Sequence, residues 1–119
     1  LSSYICNTDR NISVIPNGSF KSGNCNYIEI EANNAKVGGK KVLLETISFT
    51  VSGCSMGNYI GSGGGGINSS SKNKIEGLKV LRKDDEGVCN GTLTYQGSTI
   101  SCSCKHKIID AGQSKAKIE

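Results

Sequence analysis

The chain has no tryptophan, one histidine, one proline, one methionine and only 5% aromatic residues. Each shortage excludes something. With Tyr4, Tyr27, Tyr59, Tyr95 and two phenylalanines to draw on, a platform for stacking single-stranded nucleic acid has few rings to be built from. A lone histidine, His106, leaves Ser/His/Asp nucleophilic catalysis one base, in a stretch that reads as a tail. No apolar run reaches the length of about 18 residues that a membrane helix needs, so no membrane span is expected. Nor does a secretory leader stand at the start, so the chain reads as a mature one.

What is abundant is cysteine and glycine. Six cysteines in 119 residues, Cys6, Cys25, Cys54, Cys89, Cys102 and Cys104, are candidates for a disulfide framework and point to an oxidising compartment, hence to secretion. Cys102, Cys104 and His106 have the atoms of a metal site, but such a site suits a reducing compartment, and no metal or cofactor is expected. Sequons at Asn11, Asn17, Asn68 and Asn90 agree with secretion without establishing a glycan. The net charge of +4 comes from scattered lysines, which permits weak, salt-sensitive RNA binding without demanding it.

The strongest strand signal is KKVLLETISFTVS, residues 40–52. Leu43, Glu45, Ile47, Phe49 and Val51 share one face, Val42, Leu44, Thr46 and Ser48 the other. Glu45 therefore sits among apolar neighbours and needs a partner, Lys79 or Lys41, or a purpose. Four consecutive glycines at 63–66 and the serines after them predict a mobile loop over about 61–73, without the lysine of a phosphate loop. Short strands follow at 77–81, 90–96 and 98–105, with turns between them. Residues 5–15 suggest an N-terminal hairpin, and Pro16-Asn17-Gly18 a turn. Residues 24–39 are open: Asn24 or Asn26 could cap a helix ending at Gly38, while Ile28, Ile30 and Ala32 alternate as in a strand.

Tyr4-Ile5-Cys6 at the start, GLKVL followed by a polar turn, NGTLTYQG at 90–97 and a last strand carrying Cys102 and Cys104 together resemble the guanyl-specific microbial ribonucleases of fungi, and the ribonuclease-like secreted effectors of powdery mildew fungi. The resemblance covers about half the chain. It implies an α+β fold in one domain over 1–109, with a central helix on a curved antiparallel sheet, an N-terminal hairpin and a flexible tail over 110–119. It also implies a clasp from Cys6 to Cys102 or Cys104, with Cys25, Cys54 and Cys89 sharing the remaining pairings.

Laid over the family, Glu45 takes the catalytic glutamate's position, Lys79 that of the arginine and Tyr95 that of the acid histidine. A phenol is a poor proton donor beside an imidazolium, so the resemblance implies an inactive ribonuclease. It implies a monomeric effector, secreted and translocated into a plant cell, that binds a host protein and is recognised by a leucine-rich-repeat immune receptor. A six-cysteine β-sandwich of the surface, adhesin or carbohydrate-binding kind is the alternative, and an active ribonuclease the third reading.

Overall fold

The structure, a computed structural model, describes residues 2–16, 24–56 and 59–119, and only the backbone of Pro16, Gly53, Cys54, Met56 and Cys102. Its strands are β1 (Ser3–Tyr4), β2 (Asn11–Pro16), β3 (Asn24–Val37), β4 (Lys40–Met56), β5 (Tyr59–Ile67), β6 (Lys74–Ile75), β7 (Leu78–Lys79), β8 (Glu86–Tyr95), β9 (Ser98–Asp110) and β10 (Lys117–Ile118). Among the described residues there is no helix. The expected α+β arrangement of a helix on a sheet is thereby overturned, and the ribonuclease and mildew-effector resemblance with it.

The segment that was to supply the helix is the 14-residue strand β3. The reason lies in its far end. Gly38 and Gly39 both have positive φ, 60° and 80°, and Val37 pairs with Lys40 across them, giving the two-residue hairpin turn that glycine pairs favour. Once that turn forms, the alternating residues before it have a long partner in β4, and strand outcompetes a short helix.

Six strands form one antiparallel sheet in the order β2-β9-β8-β5-β4-β3, and β1 pairs with β10 and β6 with β7. The N-terminal hairpin is absent, because β2 pairs with β9 and β1 with β10 rather than with each other. The Gly/Ser-rich segment read as a mobile loop contributes β5, with Gly63 opposite Gly91 and Val51. Residues 110–119, read as a tail, return to the body: Ile5 donates to the Ala116 carbonyl at 3.0 Å, and Gln113 Nε2 to the Ile5 carbonyl at 2.8 Å. Of the Pro16-Asn17-Gly18 turn, Asn17 and Gly18 lie outside the described residues.

The sheet rolls until its two ends approach, in a body of 51 × 22 × 22 Å. Across that seam Arg10 Nε donates to Glu29 Oε2 at 2.8 Å, and the Arg10 guanidinium lies 5.2 Å from the Tyr27 ring centre. β4 serves two cores, one on each face. Leu43, Ile47, Phe49 and Val51 join Cys6, Ile67, Leu81, Cys89, Cys104 and Ile108 inside the roll, while Val42 and Leu44 pack with Ala32 and Val80. Beyond Ile47 the second face of β4 turns polar and meets solvent at Ser48, Thr50 and Ser52.

Candidate functional site

The residues assigned to a vestigial ribonuclease site are not brought together. Glu45 is half-buried on β4 and accepts a 3.1 Å hydrogen bond from the Ser69 amide; among the described residues it has no ion pair with Lys79 or Lys41. Lys79 lies opposite Lys74 in the β6–β7 pair. Tyr95 is at the far end of the roll, its ring 4.5 Å from that of Tyr59. Ile47 pairs with Ile67 at one end of the β4–β5 ladder and Met56 with Tyr59 at the other, so nine residues of strand, about 30 Å, separate the neighbourhood of Glu45 from that of Tyr95. Among the described residues the three do not meet, and the inactive-ribonuclease reading has no site to refer to.

Among the described residues Cys6 and Cys104 form no clasp, and the Cys102 side chain lies outside those residues. Cys6 is fully buried as a free thiol, and Cys104 is a buried one. Its backbone explains its fixity: the Cys6 amide donates to the Leu81 carbonyl and the Cys6 carbonyl accepts from the Leu43 amide, both at 3.0 Å. Burial pushes its thiol up well above the usual cysteine range, with Asp85 adding to the shift. Tyr4 packs against the same core with Lys117 Nζ 4.8 Å from its ring centre.

What the fold does bring together is a thiol and imidazole cluster inside the roll. Cys89 on β8 stands directly opposite Cys104 on β9, and alternation along β9 puts His106 on the same inward face as Cys104. All three are buried, and their Sγ, Sγ and ring-nitrogen atoms lie within 4.8 Å of one another. Cys104 Sγ is 3.3 Å from His106 Nε2. The other ring nitrogen, Nδ1, is 2.7 Å from the hydroxyl of Tyr27, which reaches across from β3.

The imidazole is held on its faces as well. It stacks on Phe49 with ring centres 4.1 Å apart and meets Tyr27 nearly edge-on at 5.8 Å. Burial depresses the His106 pKa, favouring the neutral ring. Burial, then the neighbouring Cys104 thiol, pushes Cys89 up to about 12. Tyr27 is raised by burial and by Cys25, which hydrogen-bonds its hydroxyl. The sequence offered a signal here: Cys102, Cys104 and His106 at period two share one strand face. It gave no sign that Cys89 would face Cys104, or that Tyr27 would close the set.

The outer face of the sheet is chemically different. Register carries one row of side chains across five strands through Asn24, Ser52, Ser62, Thr92 and Ser101, and a second through Asn26, Thr50, Gly64, Asn90 and Ser103. Neither row contains a charge. Between β8 and β9 the rows border a shallow depression of about 450 Å³ lined by Asn90, Gly91, Thr92, Ser101 and Ser103. Exposed Ile28 and Val88 flank them, and charge returns at Lys105, 3.4 Å from Glu86.

Compared with protein-family models, with curated proteins and with solved structures, the chain finds no match.

Proposed function

We propose that the chain is an all-β binding module whose outer sheet face takes a neutral polysaccharide. The observation that carries this reading is the pair of uncharged Ser/Thr/Asn rows spanning β3, β4, β5, β8 and β9. Hydroxyl and amide side chains both donate and accept, as sugar hydroxyls do, so a neutral polyol meets complementary groups whichever way its hydroxyls turn.

The rows repeat about every 4.8 Å across the strands and about 6.8 Å along them, suiting a ligand that is itself periodic. Each such hydrogen bond contributes only about 0.5–1.5 kcal/mol net of competition with water, so affinity comes from the number engaged along a polymer. Ile28 and Val88 offer apolar surface to the carbon-bound hydrogens of a sugar ring.

The test is retention of the unglycosylated protein on insoluble neutral polysaccharides, beside polyanions and RNA, over a range of salt. Retention on a neutral polymer, insensitive to salt and lost in the double variant Ser52→Lys/Thr92→Lys, is the expected result. Failure to bind any neutral polymer, or salt-sensitive retention on RNA alone, overturns the reading.

A further inference from the structure

We infer that Cys89, Cys104 and His106 form a binding site for a thiophilic divalent ion of the zinc type, inside the roll. Three kinds of observation lead there. The first is the ligand set. Thiolates and imidazoles are the donors of structural zinc sites, and here two thiols and one imidazole have donor atoms that already lie within 4.8 Å of one another, three of the four ligands such a site takes. Zinc at about 2.3 Å from sulfur and 2.0–2.1 Å from nitrogen sets tetrahedral ligand atoms about 3.5–3.8 Å apart, so closing the site takes shifts of the order of 1 Å.

The second is the orientation of the imidazole. A metal-binding histidine uses one ring nitrogen and is fixed through the other by an outer hydrogen-bond partner. His106 has this arrangement, with Nε2 toward Cys104 Sγ at 3.3 Å and Nδ1 at 2.7 Å from the Tyr27 hydroxyl. With a metal on Nε2, the ring carries its proton on Nδ1 and donates it to the tyrosine oxygen. Phe49 stacked on the ring blocks rotation out of that position.

The third is the environment. All three donors are shut away from solvent, and Cys25 hydrogen-bonds the same Tyr27 hydroxyl and acts electrostatically on Cys89. Among the described residues Cys25 is thus a further thiol bordering the cluster, available as a fourth ligand. Binding converts two neutral thiols to thiolates and releases their protons, and the dication compensates the buried charge that results. The inference stands apart from the polysaccharide reading, because the cluster faces the inside of the roll and the hydroxyl rows the outside.

The experiment uses the full chain, reduced and stripped of metal with a chelator, titrated with cobalt(II) and then with zinc(II). One equivalent of cobalt is expected to bring a thiolate-to-metal charge-transfer band in the near ultraviolet and the strong visible bands of tetrahedral coordination, and zinc to remove both and raise Tm. Cys89→Ser and Cys104→Ser abolish the charge-transfer band, Cys6→Ser leaves it intact, and Tyr27→Phe weakens affinity about 10–100-fold with the chain still folded. Wild-type protein alone suffices should a core variant fail to fold. A reduced, folded wild type that shows no charge-transfer band, or no rise in Tm with zinc, overturns the proposal. So does a Cys89–Cys104 disulfide found by mass mapping of protein folded with zinc present.

Discussion

Gly63 and Gly91 stand opposite each other in β5 and β8, and a Cβ at Gly63 would lie 2.3 Å from the Asn90 carbonyl oxygen. The obstacle is backbone, which cannot swing aside as a side chain would. Gly63→Ala is therefore expected to destabilise the protein by about 1–3 kcal/mol, the usual penalty for forcing extra volume into a filled space, read as a lower denaturation midpoint in urea. The same glycines misled the sequence reading. Taken alone, a glycine run signals chain entropy and hence a loop; its use here, letting two strands approach closely, depends on a partner far along the chain. His106 was misplaced for a related reason. Its position near the end suggested a tail, whereas the strand of Cys104 and Ile108 carries it into the core.

At the scale of the element, β4 was legible because its two faces carry different side chains, and the two cores follow that division. β3 was not, because its local signals supported a capped helix as well as a strand, and only the Gly38-Gly39 turn onto β4 decides. Between Glu31 and Lys36 the register of β3 shifts, and there the Asn33 and Asn34 amides donate to the carboxylate of Glu76, at 2.9 and 3.2 Å. Those bonds favour the charged form and hold the Glu76 carboxyl below its ordinary range. The stability it adds is present above the ordinary carboxylate pKa of about 4.3 and is lost as pH falls through the lowered value, because the unfolded chain takes up the proton first. Glu76→Gln is expected to lower Tm slightly at neutral pH. The gap between variant and wild type should close as the pH is brought below about 4, measured by thermal melts across an acid series.

For the whole molecule, what the sequence concealed is which edges meet. Strand identity is a local property, and the later part of β8, its turn at Gln96-Gly97 and β9 as far as Lys105 could be read directly; the approach of β3 to β9, which delivers Tyr27 to His106, could not. The same non-local character has a kinetic side. β1 pairs with β10 and β2 with β9, so strands from opposite ends of the sequence must find each other before the sheet is complete. Loop-closure entropy is spent before those contacts return anything, and refolding from urea is expected on the millisecond-to-second scale, not in microseconds. Stopped-flow fluorescence through the tyrosines measures it. During synthesis this means that Ser3 waits for Ile118: the polypeptide leaves the ribosome with its first strands unpartnered, and the interval in which their edges stand open to other chains is set by translation.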